Sequence, residues 1–455
     1  MDKTSDALIA YAAALKFEDL GREVVHEVKR KLIDTLACVF SAYDAEPCRI
    51  ARSIAERAIG RPPARILGTL APSTPEHAAF ANGVMLRYLD YNDSYLASSS
   101  CHPSDVWPAV LAVADATHAD GRTVITAAAL AYEACCGFAD VMPREQGWDN
   151  VFYDTVGAAL GAAKVLGLDA QKMAHALALA IVPNVPLEQT RLGELSMWKA
   201  GAAANAARNA VFAALAAQAG VTGPSDVIEG KWGLSHLLGH RFEWAPFGGR
   251  GAQFRIARTH IKYYPGVVHA QSAIGAALEL SPQVRASDIE RISIDMHWPA
   301  QRYTNRNSPL WHPTTSETAD HSIPYLVAAA LADGRLDIAS CSEERLHDPV
   351  IKALMEKMDM REHPEYTASY PQRWECRIEV ALKSGARKSA YVEYFKGHVG
   401  SPLTDADVEA KFYALTANAL APTTAKALLA QLWRLETAND IDAVISLCST
   451  RSAPA

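Results

Sequence analysis

The chain has 455 residues, of which 49% are hydrophobic, and a formal net charge of −7. That apolar content supports a sizeable core and more than one domain, and the acidic balance excludes a surface built to neutralise nucleic-acid phosphates or an anionic membrane. The first residues, Met1-Asp2-Lys3-Thr4-Ser5-Asp6, have no basic or apolar leader pattern, and no run approaches the roughly 18 uninterrupted apolar residues of a spanning helix. A globular protein of the cytoplasm is expected.

Helical periodicity dominates residues 5–60, where Val24, Val25, Val28, Leu32 and Leu36 recur on one face. Pro62, Pro63 and Gly68 interrupt it. Ser73-Thr74-Pro75-Glu76 reads as a helix start, with a hydroxyl cap, a first-turn proline and an early carboxylate. The helix is predicted from Pro75 to about Leu89 and delivers Asp90 at its C-terminal end. The polar stretch Asp90-Tyr91-Asn92-Asp93-Ser94 follows, then Cys101-His102-Pro103-Ser104-Asp105, after which another helix begins. Two readings of this loop stay open: a polar cleft, since carboxylates without partners cost stability, and a capped helix start.

From 122 to 220 the chain reads as Ala- and Gly-rich helices at 123–140, 153–167, 170–182 and 199–219, whose small side chains let helices approach closely. The pattern changes near 256. Residues 291–296, 376–382 and 390–395 alternate with period two, and 383–387 forms a hairpin loop between the last two. Helical signals at 267–280, 321–333 and 343–358 interleave with them, which predicts an α+β unit of about 140 residues. Beyond Pro402-Leu403 the helical pattern returns, capped by Thr404 and continuing to about 447.

The eight cysteines (Cys38, Cys48, Cys101, Cys135, Cys136, Cys341, Cys376, Cys448) contain no C-x-x-C pair and no metal-ligand spacing. Neither a disulfide framework, an iron-sulfur cluster nor a catalytic metal is therefore expected. There is no P-loop, no Gly-x-Gly-x-x-Gly after a strand and no Gly-x-Ser-x-Gly elbow, so nucleotide and serine-hydrolase chemistries lack support. Candidate acid-base groups are His102 and His269, each in a turn that feeds a helix, and His321, at a helix start. His260 and His297 lie in strand-like segments and read as structural. Lys199 opens an otherwise apolar helix, a poor place for a cation in the macrodipole, which asks for another reason. Arg87, Arg191, Arg208 and Arg255 are possible carboxylate clamps, and spacing does not choose among them.

Asp90-Tyr91-Asn92-Asp93-Ser94-Tyr95-Leu96-Ala97 with His102-Pro103-Ser104-Asp105 resembles the signature loop of the MmgE/PrpD family. The resemblance extends over almost the whole chain: residues 31–38, Trp198-Lys199, Tyr264-Pro265 with His269-Ala270-Gln271, residues 317–325, and Lys396-Gly397 through Pro402-Leu403-Thr404 to Lys411-Phe412. It implies a mainly α protein with a large all-helical domain built from both chain ends (1–255 and 403–455), a smaller inserted α+β lid domain (256–402), a homodimer, and a site in the cleft between domains. The implied catalytic set is Asp90, Ser94, His102, Lys199, His269 and Tyr325, with Asp93, Asn150, Arg87 and His321 as substrate contacts and no metal or other cofactor.

The implied activity is a cofactor-independent lyase acting on a small di- or tricarboxylate, dehydrating 2-methylcitrate or a citrate-like hydroxy acid to the alkene. His102 or His269 would serve as base and acid, with no nucleic acid or membrane as partner. The alternatives are decarboxylation or epimerisation of a related carboxylate such as cis-aconitate or iminodisuccinate, and a catalytically altered carboxylate-binding homologue. There is one departure. After Gly147-Trp148 the family commonly has a histidine, whereas this chain has Asp149-Asn150-Val151, and an asparagine cannot transfer a proton near neutrality.

Overall fold

A computed structural model describes residues 1–143 and 147–451. The elements that position the site are, in chain order, helices α1 (Arg22–Ser41), α2 (Pro75–Arg87), α3 (Trp107–Thr117), α4 (Gly121–Val141), α5 (Val151–Val165), α6 (Trp198–Gln218) and α7 (Gln271–Leu280). Strand β1 (Ile289–Met296), helix α8 (Ile323–Asp333), strands β2 (Met358–Glu362), β3 (Cys376–Leu382) and β4 (Arg387–Val392), and helix α9 (Asp405–Thr416) complete the set. The protein is mainly α.

The described residues form two large hydrophobic cores. One takes side chains from Leu8 to Ile261 and again from Leu403 to Cys448; the other runs from Ala270 to Ala390. In the first, α2 packs on α6 and α4 on α5. The alanine-rich faces matter here: a Cβ at Gly83 of α2 would lie 2.8 Å from the Ala204 backbone of α6, so these helices meet nearly backbone to backbone. Helix α4 is long and apolar enough to cross a membrane by length and composition, yet 89% of its apolar window is buried inside the fold. Helix α9 returns to α1, where Lys411 Nζ lies 2.6 Å from the buried Asp34 Oδ1.

The second core is built on a four-stranded sheet ordered β2-β1-β3-β4, with α7 and α8 packed together and α7 lying against β3 and β4. Strands β1 and β3 are antiparallel, with Ile294 opposite Ile378, and β1 and β2 are parallel, with Ile292 opposite Met358. The helical signal read over 343–358 is found as helix to Glu356, but strand β2 after it was not anticipated. Two short helices span Glu343–Leu346 and Pro349–Glu356, and Met358 and Met360 then alternate inward with Asp359 and Arg361 turned outward. Five residues of alternation are too short a signal to stand out beside a helical one.

Candidate active site

Thr74 caps α2 by accepting from the His77 amide, with Pro75 in the first turn. The helix ends at Arg87, two residues earlier than its periodicity suggests. The chain then turns through Asp90, which adopts a left-handed φ of 47°, an uncommon conformation that aspartate tolerates better than most residues. That turn directs the Asp90 carboxylate back onto Arg87, whose guanidinium donates to Oδ1. Lys262 Nζ donates to the same oxygen at 3.0 Å and to the Asp90 carbonyl at 2.6 Å. Both cations and the carboxylate are buried.

The loop after Asp90 is fixed from within. Asp93 accepts from the Ser104 amide and from Tyr132 Oη, both at 2.8 Å, and Asn92 donates to Ser104 Oγ and Asp105 Oδ1. These bonds hold His102, whose Nδ1 lies 2.8 Å from the Asp93 carbonyl. A carbonyl only accepts, so Nδ1 carries the proton, and the neutral ring presents a lone pair at Nε2, 3.7 Å from Asp90 Oδ1.

His321 enters from the second core, in the turn between Ser316–Ala319 and α8. Its Nε2 is 3.3 Å from Asp90 Oδ2 and its Nδ1 bonds Asp320. Lys199 Nζ, fully buried, lies 2.5 Å from the other Asp320 oxygen, which supplies the reason for a cation in the first turn of α6. The turn at Gly266 brings these parts together. Its φ is 105°, and a Cβ there would lie 2.8 Å from the Asp320 carbonyl, which accepts from the Val267 amide. Two residues on is His269, its ring stacked on Trp374 at 5.3 Å.

Charge decides the protonation states. Burial alone would raise the Asp90 carboxyl, but Arg87, Lys262, His321 and Lys199 outweigh it and hold the group well below the usual carboxylate range. Burial, reinforced by Arg87 and Lys262, pushes His102 well below the ordinary histidine value, and burial with Lys199 pushes His321 down as well. Burial lowers Lys262 to about 8, against the pull of Asp90. Asp105 is raised to about 7 by burial, although Arg87 opposes this.

Seven of the residues singled out from sequence (Arg87, Asp90, His102, Asn150, Arg191, His269 and His321) line one cavity of about 140 Å³. It shares Arg191, His269, Arg302 and His321 with a larger chamber of about 650 Å³. Lys199 does not line the cavity; it holds Asp320, which in turn bonds the cavity-lining His321. Asp93, Ser94 and Tyr325 do not line either chamber. Asp93 is spent on the loop's own amide and on Tyr132 and does not face the cavity. Ser94 pairs its backbone with His260 in both directions and buries its side chain outside either chamber. Tyr325 donates to the Ser340 carbonyl at 2.8 Å within the second core and lines a separate cavity beside Trp311. Tyr325→Phe is accordingly expected to keep wild-type turnover and to lose about 1 kcal/mol of stability, read from a urea midpoint; a large fall in kcat would return Tyr325 to the site.

Asn150 donates to the Ser100 carbonyl at 2.8 Å, so this position braces the strand that leads into His102. Lys262 and Asp320 were not singled out from sequence. The signal for Lys262 was present, a lysine inside Ile261-Lys262-Tyr263 next to the Tyr264-Pro265-Gly266 turn. Asp90, Asp320 and His321 could each offer one ligand atom to a metal ion, all within 4.8 Å of one another. Both carboxylates already carry ammonium or guanidinium partners, and a dication would have to displace them, so the donor set suits proton handling better.

Comparison with known proteins finds two family domains along the chain. The MmgE/PrpD N-terminal domain matches residues 6–246, and the MmgE/PrpD C-terminal domain matches residues 264–436. The chain is similar to 2-methylcitrate dehydratase of Escherichia coli (strain K12), 31% identical over 405 residues covering 81% of this chain and 80% of the relative. It is similar to the same enzyme of Cupriavidus necator to the same extent, 31% over 405 residues with 81% and 80% covered. Cis-aconitate decarboxylase of Homo sapiens is 26% identical over 471 residues, covering 97% of this chain and 93% of that protein.

Proposed function

Because the chain belongs to the MmgE/PrpD family, we propose that it is a cofactor-independent lyase of small di- or tricarboxylates that dehydrates 2-methylcitrate or a citrate-like hydroxy acid. The observation that carries this reading is the pair His102 and His269, one from each core, facing a single cavity beside an ionised, cation-held Asp90. His102 Nε2 takes the proton from the carbon beside a carboxylate, and the C–H electrons become the new C=C bond. The C–O bond breaks as His269 delivers a proton to the leaving hydroxyl, which departs as water. Asp90 fixes His102 and His321, and Arg87, Lys262 and Lys199 keep the electrostatic field positive where enolate charge develops.

In this reading residues 256–402 form a lid inserted into a helical domain made of 1–255 and 403–455, and the protein works as a cytoplasmic homodimer. Asn150 serves as a brace, so this chemistry needs no proton transfer at that position.

Incubation of the pure protein with 2-methylcitrate, citrate, cis-aconitate and iminodisuccinate, followed by NMR in deuterated water, tests the proposal. Alkene formation with loss of water supports it. Release of CO2, or deuterium exchange alone, moves the activity to decarboxylation or epimerisation, and no change at all leaves a carboxylate-binding homologue. The pH dependence is a second check. His102 stays neutral, and so competent as a base, below the ordinary histidine value, which puts the acid limb of kcat/KM below about pH 6.5. Above about pH 8 Lys262 loses its proton and Asp90 loses a cationic partner, so kcat/KM falls. A profile still rising past that pH would remove Lys262 from this role.

A further inference from the structure

Three arginines line the inner cavity: Arg87, Arg191 and Arg302. Two are committed. Arg87 bonds Asp90 and lies with its Nε 3.5 Å from Asp105 Oδ2, and Arg191 Nε lies 2.9 Å from Asp149 Oδ2. Arg208 sits against Asn209 on α6, away from both chambers, and Arg255 bonds Glu133 and Asp140. Among the described residues no carboxylate pairs with Arg302. Its guanidinium lies 5.2 Å from the Trp298 ring centroid, and the same ring packs edge-on to His269 at 5.3 Å. Cation–π contact of this kind orients a guanidinium without neutralising it.

Arg302 also stands where the two chambers meet, lining both. The inner chamber, about 140 Å³, is small against the roughly 300–1,000 Å³ of ordinary ligand pockets. A branched tricarboxylate seated with its reacting carbon at His102 therefore leaves part of itself in the passage. Glu188 lines the passage too and, like Arg302, has no ion-pair partner among the described residues. The passage is thus neutral overall and carries one available cation.

We propose that Arg302 is a specificity-determining residue: it binds the substrate carboxylate that projects from the inner chamber into the passage, and so selects tricarboxylates over shorter dicarboxylates. The planar fork of arginine suits a bidentate carboxylate, and contact with the Trp298 ring restricts its orientation. The assignment rests on the carboxylate reading of the site given above.

The test is calorimetric binding of propane-1,2,3-tricarboxylate and of succinate to wild type, Arg302→Gln and Arg302→Lys, with kcat and KM measured in parallel on 2-methylcitrate. Arg302→Gln should weaken tricarboxylate binding about 10- to 100-fold and leave succinate binding within about threefold. Arg302→Lys should recover part of the loss, and KM should rise with little change in kcat. Unchanged tricarboxylate affinity, an equal loss for both ligands, or a wild type that binds neither overturns the assignment. The lyase reading is judged separately, by alkene formation in the wild type, because the binding measurement needs no turnover.

Discussion

Replacing His102 by Gln is expected to lower kcat/KM by about 100- to 10,000-fold, the usual contribution of a positioned acid-base group, without disturbing the fold. Glutamine can still donate to the Asp93 carbonyl, so the loop keeps the bond that orients position 102, but it cannot take a proton from carbon. The ring lines the cavity and bonds the loop at Nδ1, and no core side chain is removed. Circular dichroism and the urea midpoint should match the wild type while product formation collapses. Retained turnover would move the base to His269 or His321, both of which line the same cavity.

Asp90→Asn should be costly in a different way. The single carboxylate answers Arg87 and Lys262, and both histidines stand within 4 Å of it at 3.7 and 3.3 Å. Removing its charge leaves two buried cations short of a partner, which typically costs about 3–5 kcal/mol, and activity falls as well because His102 and His321 lose the anion that offsets their burial. The linkage sign follows from a carboxyl held below its unfolded value. The stabilisation is fully present above about pH 4 and is lost as pH falls through the native-state value. Urea denaturation of wild type and variant should therefore differ most near neutrality and converge in acid. Equal midpoints at pH 7 would mean that Asp90 is not ionised in the native protein.

Much of this was legible from residues alone, and the parts that were not share a cause. The start of α2 was marked by Thr74 and Pro75, local signals that act within one turn. The alanine-rich helices announced themselves through small side chains, and the loop from Asp90 to His102 through unspent polarity. Partner choice across the chain was hidden. Nothing in the neighbourhood of Lys199 names Asp320 as its partner, 121 residues away, and nothing near Lys262 points to Asp90, 172 residues away. Asp93 and Tyr325 looked like site residues for the same reason: a polar side chain reads alike whether it faces a ligand, a loop amide or the carbonyl of Ser340. Resemblance to a family located the loop, but only coordinates divide its carboxylates into Asp90, which faces the cavity, and Asp93, which holds the scaffold.

Lys411, on α9, donates to the carbonyls of Tyr91 and Lys262 at 3.0 and 2.8 Å. Those two residues flank Asp90 and supply its cation, and the ammonium that joins them arrives more than three hundred positions after the first. On a ribosome, which delivers the N-terminal part of a chain first, residues 270–390 can gather their own core from contiguous chain. The early helices can pack on one another, but the face of α1 that α9 covers must wait for α9 to emerge. Closing so long a loop is slow, so the catalytic pocket is expected to be among the last features to form during synthesis, and the nascent helical segment among those most in need of a holding chaperone.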